Sequence, residues 1–180
     1  IIAALLTSAM PERIRALGLI DGLWAQTTQA AQTPMQIADS LRAESLKKPA
    51  RVYASLDEMV AQRQRYGFPL ANEAATCITL RNAVQHSEGQ WSWRTDPRLR
   101  VPSLMRLTPE QMDACHRAIS VPTELCLAEQ GLVQAYPDYA ERLLALPQVS
   151  WTVHAGGHHL HMEGAQSILG QAFNSFFQRL

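Results

Sequence analysis

The stretch "GGHHLHMEGAQSILGQAF", residues 156–173, decides the fold. It follows "QVSWTVH" at 148–154, which reads as a strand, and leads into a helix at 166–180 that sets Ile168, Leu169, Ala172, Phe173, Phe176 and Leu180 on one face. A Gly-Gly turn at the end of such a strand lies where open α/β sheets build their sites. Four of the six histidines crowd around it: His154, His158, His159 and His161. They could be metal ligands, a catalytic base on a loop, or a polar turn. A zinc site needs three or four ligands at about 2.0–2.1 Å. His158 and His159 are adjacent and point apart, and no outlying Cys or acid completes a zinc spacing, so no metal is expected.

Working outward, "TELCLA" at 123–128 reads as a buried strand and "YPDYAERLLAL" at 136–146 as an amphipathic helix. Residues 121–180 thus run strand, helix, strand, helix, the pattern of a parallel α/β sheet. At the other end, residues 1–9 read as a buried helix, closed by "PER" and followed by the strand "ALGLIDG" at 16–22. Between these pieces helical signals dominate. Thr33-Pro34-Met35-Gln36 and Thr108-Pro109-Glu110-Gln111 each set Thr as N-cap with Pro at the first helical position. "SLDE" at 55–58 is a capping box for a helix ending near Gly67, and Asn72 caps another that runs to about Val84. "GQWSWRTDPRLRVPS" at 89–103 is irregular or a short hairpin. The division is therefore an α/β core at 1–23, an inserted, mainly helical domain at 24–120, and core again at 121–180. About three parallel strands with flanking helices form that core, leaving a sheet edge uncovered.

Composition narrows the function classes. Sixteen basic and sixteen acidic residues give zero formal charge, which supplies no field for nucleic acid or an anionic membrane, so neither partner is expected. Three cysteines, Cys77, Cys115 and Cys126, form no metal or disulfide pattern, which fits a reducing, cytoplasmic setting. The opening "IIAALLTSAM" is too short to span a bilayer and no basic segment precedes it, so it is neither membrane helix nor signal peptide. The first residue is Ile and no cap precedes the first helix, so a further upstream segment is expected.

The segment at 156–173 resembles the catalytic-histidine loop of the α/β-hydrolase superfamily, in which Gly-His and a Glu five positions on lead into the last helix. Matching on Glu163 makes His158 the catalytic histidine, with His159 and His161 lining the pocket; Ala165 stands where the family often has Pro. "IIAALLTSAMPERIRALGLIDGL" resembles the helix and strand after the family's nucleophile elbow, "VPTELCLAEQG" the next strand, and the inserted helices a cap, where Trp91 and Trp93 could line the substrate site or merely pack. The resemblance spans nearly all 180 residues. It implies a serine esterase-like hydrolase without cofactor, acting on a small ester-like substrate. No G-x-S-x-G occurs, and Ser8, Ser120 and Ser167 lack the elbow context, so the Ser is expected upstream or on another chain carrying the N-terminal part. The family's usual acid position falls on Gly131, which offers no carboxylate. Asp21, ending "LGLID", is the preferred substitute, and Glu129 the other. Two alternatives remain: an inactive fragment or binding half, and an epoxide or haloalkane hydrolase if the nucleophile is Asp.

Overall fold

The computed structural model describes residues 1–46, 50–136 and 138–180. In chain order it contains α1 (Ile2–Ala9), β1 (Leu17–Ile20), α2 (Thr33–Ser45), β2 (Val52–Tyr53), α3 (Leu56–Arg65), α4 (Asn72–Asn82) and β3 (Ala83–Gln85). There follow β4 (Trp91–Trp93), α5 (Pro109–Arg117), β5 (Thr123–Gln130), α6 (Leu132–Ala135), α7 (Tyr139–Leu144), β6 (Val149–Gly157) and α8 (Gln166–Gln178). The chain divides into two compact units, one of residues 1–25 with 110–180 and one of residues 26–109. The sequence reading sets that second boundary at 120/121.

The first unit is built on a parallel sheet in the order β1-β5-β6. Its central strand is β5, whose first six residues, Thr123–Ala128, are all buried, as expected for a parallel strand flanked on both sides. β1 pairs with it in the register Leu17↔Thr123 to Ile20↔Cys126, and β6 in the register Thr123↔Val149 to Ala128↔His154. Helix α8 crosses β1 closely. A Cβ at Gly18 would stand 3.1 Å from the Phe173 ring and 3.3 Å from Phe177, so the glycine is what lets this helix pack against the strand. Cys126, Ala128, Leu160, Ala165 and Leu169 form the core cluster beneath the loop after β6.

Three expectations change here. Helix α1 buries only Ala4 and Thr7, while Ile2 is 83% and Leu6 47% exposed, so it is packed on one side rather than buried. On α8, Leu169 and Phe176 are buried but Ile168 and Leu180 are exposed, because the contact stripe is narrower than the apolar face. The helix expected over 136–146 is described from Tyr139 to Leu144, and Pro137 of that stretch lies outside the described residues.

The second unit is mainly helical and also carries a three-stranded antiparallel sheet, β2-β4-β3. The stretch 89–103 therefore does contain a hairpin strand, and its partner β3 takes the residues at which α4 was expected to continue. Ala83 pairs with Trp93 and Gln85 with Trp91, so cross-strand pairing with aromatic residues overrides the helical pattern beyond Asn82. The capping box forms: the Ser55 hydroxyl accepts from the Glu58 N–H at 3.1 Å, and the Glu58 carboxylate accepts from the Ala54 N–H at 2.9 Å. Asn72 and Thr33 are instead first residues of their helices, behind Ala71 and Gln32. Tyr53, Met59 and Ala83 make the core of this unit, with Leu56, Trp91 and Trp93 packed against it.

Candidate active site

The carboxyl ends of β1, β5 and β6 bring together residues far apart in sequence. β1 ends at Ile20, and Asp21 turns the chain with φ of 41°, a left-handed conformation that Asp tolerates better than most residues. Its own N–H donates to the Cys126 carbonyl at 2.7 Å, so the backbone of this turn is tied to β5. The side chain is fully buried, at 0% exposure. A buried carboxylate is stable only when donors compensate for lost water. Here the Ala128 N–H donates to Oδ1 at 2.9 Å, the Leu132 N–H to Oδ2 at 3.2 Å, and His158 Nδ1 to the same Oδ2 at 2.6 Å.

His158 reaches Asp21 because the loop after β6 is fixed. Gly156 has φ of 127°, which only glycine adopts without strain. Leu160, 1% exposed, plugs the loop into the core cluster, and the Ala165 N–H closes it onto the Leu160 carbonyl at 3.2 Å. Since an ionised carboxylate can only accept, the short contact places the imidazole proton on Nδ1. Proton transfer to or from a reacting group then falls to Nε2.

The structure thus brings Asp21 and His158 together, 137 residues apart in the chain. The other acid candidate, Glu129, has an exposed side chain near the end of β5. The His159 and His161 rings follow His158 in a chain of edge contacts, with centroids 5.0 Å and then 6.1 Å apart. His154 sits on β6 and shares a hydrogen bond with the Thr152 hydroxyl at 3.0 Å. Trp91 and Trp93 belong to the second unit, half-buried on β4. Among the described residues, no group of three or more His, Cys, Asp or Glu side chains is arranged to hold a metal ion. Cys126 is buried at 0% exposure and burial pushes its thiol upward, which makes it a poor nucleophile.

Sequence reasoning noticed Gly131 only as a missing acid; its role is steric. A Cβ there would stand 2.2 Å from Asp21 Oδ2, 2.7 Å from its carboxyl carbon and 2.7 Å from the Ala128 Cβ. The Asp21 carboxylate fills the space that a side chain at 131 would need. The two positions cannot both carry a side chain in this geometry, so Gly131 and Asp21 belong together.

A second missed feature supports the same turn. The Leu23 carbonyl accepts from His116 Nε2 at 3.2 Å, and His116 is 1% exposed. Trp24 meets the His116 and Tyr139 rings edge-on, with centroids 5.0 Å and 4.6 Å away, and the Arg142 guanidinium lies 5.8 Å from the Trp24 ring. Burial pushes the His116 imidazole below its ordinary value. It pushes the Tyr139 phenol well up, and the Asp21 charge adds to that. Both groups stay neutral around pH 7, so neither adds a buried charge beside the Asp21 turn. No local pattern marks His116 or Tyr139, because α5 and α7 bring them in only through tertiary packing.

No protein-family model matches the sequence, nor does any curated protein. Solved structures do match. A hypothetical protein from Pseudomonas aeruginosa PAO1 is 36% identical over 99% of this chain and 64% of its own, with a TM-score of 0.91. A thioesterase domain from the curacin biosynthetic pathway is 21% identical over 94% of this chain and 61% of its own, at 0.73. An α/β hydrolase from Novosphingobium aromaticivorans is 16% identical over 99% of this chain and 61% of its own, at 0.64. The chain therefore spans less than two thirds of the length of each of these structures.

Proposed function

We propose that this chain, whose fold is similar to that of α/β hydrolases, is the histidine- and acid-bearing C-terminal portion of a serine-dependent hydrolase of small ester-like substrates. The observation that carries this reading is the 2.6 Å hydrogen bond from His158 Nδ1 to the fully buried Asp21 carboxylate at the carboxyl ends of the parallel strands. The thioesterase domain and hydrolase among the structural neighbours agree with it.

In this mechanism a serine outside these 180 residues is the nucleophile. His158 Nε2 removes its proton as the oxygen attacks the ester carbonyl, and returns the proton to the departing alcohol or thiol. Asp21 holds the ring in the tautomer with Nδ1–H and stabilises the imidazolium, its effect strengthened by burial. A water then attacks the acyl-enzyme with His158 again as base, releasing the acid and restoring the serine. His159 and His161 are assigned to the pocket lining. The inserted, mainly helical unit takes the role of a cap that sets substrate size. Trp91 and Trp93 would contribute to it, although their packing against the core of their own unit supports a structural role as well.

Hydrolysis of short-chain nitrophenyl esters by the full-length polypeptide tests this reading. His158→Gln should lower kcat by about three orders of magnitude or more while leaving the fold unchanged. His161→Gln should change KM rather than kcat. An ester hydrolase whose rate is indifferent to His158 would overturn the assignment.

A further inference from the structure

A second feature lies wholly within residues 26–109 and has no part in the hydrolase reading. Helix α3, helix α4 and the segment after β4 enclose an open cavity of about 250 Å³. Arg63 and Arg100 line it, together with Tyr66, Trp93, Gln62 and Asn82. No acidic side chain lines it among the described residues. A cavity lined by two guanidinium groups, two aromatic rings and two side-chain amides is organised for an anion attached to a flat apolar body.

Its walls are held in place. The Trp93 indole N–H donates to the Tyr53 hydroxyl at 3.2 Å, and that hydroxyl donates in turn to the Gln62 side-chain oxygen, which joins α3, β2 and β4. The Tyr53 and Trp93 rings pack edge-on with centroids 6.4 Å apart. Arg63 donates to the Tyr66 carbonyl at 3.3 Å, which ties its guanidinium to the end of α3. Arg98, two residues before Arg100, is already engaged by Asp96 at 2.6 Å, and Asp96 is thereby taken up as well. The exposed Arg100 is thus not neutralised by its neighbouring acid. Trp93 and Gln62 are thus pinned before a ligand arrives, as is Asn82, whose amide donates to the Ile78 carbonyl at 2.9 Å, which lowers the ordering entropy that binding costs.

We propose that this cavity is a binding site for a small planar organic anion, an aromatic or conjugated group bearing a carboxylate or phosphate, with Arg63 and Arg100 holding the charge and the Trp93 and Tyr66 rings the flat portion. The inference stands independently of Asp21 and His158.

Phenyl phosphate serves as the probe, titrated into the protein and followed by the NMR shifts of the Trp93 indole N–H and the Asn82 side-chain amide. Saturable shifts confined to this cavity are expected, with affinity at least about tenfold better than for phenol, which keeps the ring but not the charge. Inorganic phosphate, which keeps only the charge, should also bind at least about tenfold more weakly. Arg100→Gln and Arg63→Gln should each cost about tenfold or more, while Arg81→Gln on the exposed face of α4 should cost nothing. An unchanged amide spectrum elsewhere would show that each variant is folded. Equal binding of phenol, indifference to both arginines, or no saturable shift at the indole would overturn the proposal. None of these outcomes depends on catalysis, so failure here and failure of the hydrolase reading are separable.

Discussion

Gly131→Ala is the most informative single substitution, because it adds one methyl group at the position where the acid sits. The new carbon would stand 2.2 Å from Asp21 Oδ2, about two thirds of an ordinary contact of roughly 3.5 Å. The backbone at Gly131 has φ of −108°, so the cost is steric rather than conformational. Nor can Asp21 simply withdraw, since its N–H is held by the Cys126 carbonyl at 2.7 Å. The carboxylate must swing, giving up one or more of its bonds from Ala128, Leu132 and His158. Overpacking costs about 1–3 kcal/mol. Loss of one hydrogen bond to a charged group costs about 1.5–3 kcal/mol. Removing a glycine from the unfolded chain returns about 0.4–1 kcal/mol. The net destabilisation is about 2–5 kcal/mol, which for a protein of this size lowers Tm by on the order of 10 °C. Circular dichroism melts read the stability, and the proton NMR signal of the His158 Nδ1–H reads the hydrogen bond. A double-mutant cycle with Asp21→Gly, which removes the carboxylate and suits the left-handed backbone, should recover most of the loss. A Gly131→Ala protein that melts within about 1 °C of wild type and keeps the Nδ1–H signal would refute the steric argument.

Asp21→Asn should preserve the packing yet lower kcat by about four orders of magnitude, because an amide can hold the imidazole in the wrong tautomer; steady-state kinetics on a nitrophenyl ester would show it. His116 lies below its ordinary value in the folded protein, so the unfolded chain binds this proton first as pH falls. Stability should therefore drop from about pH 6.5 downward, by at most about 1.4 kcal/mol per pH unit from this group, and level off once the folded imidazole also titrates. His116→Gln, which can still donate to the Leu23 carbonyl, should flatten that slope in denaturant midpoints measured across the same range. Ser55→Ala removes the acceptor for the Glu58 N–H and should cost about 1 kcal/mol in the stability of the second unit, read by urea unfolding.

The parts of the fold that could be read from sequence are those written in local pattern. "TELCLA" carries the apolar run Leu125–Ala128 and becomes the buried central strand, while Ser55 and Glu58 carry their capping box in four letters. β3 was hidden because "ITLRNAV" continues a helical pattern, and only pairing with Trp91 and Trp93 turns Ala83–Gln85 extended. β2 has two residues, too few for any alternation to show. Apolarity marked α1 correctly as a helix, but apolarity alone does not say how much of a face is covered. At the site, His158, and Asp21 beside Glu129, could be named only through the resemblance of the loop and the strand end to a known family. The fit of the Asp21 carboxylate could not be, because it rests on the space left by the missing side chain at Gly131. Two of the donors that hold Asp21, those of Ala128 and Leu132, are backbone N–H groups, which every residue but proline has.

The central claim is that His158 and Asp21 serve a serine outside these residues. Mass spectra of the full-length protein, taken after a fluorophosphonate probe and again after proteolytic mapping, test it most directly. One adduct is expected, on a serine N-terminal to Ile1, formed rapidly in wild type and at least about a hundredfold more slowly in His158→Gln. An adduct that forms equally fast without His158, or no adduct on any serine of an enzyme that hydrolyses esters, would contradict it.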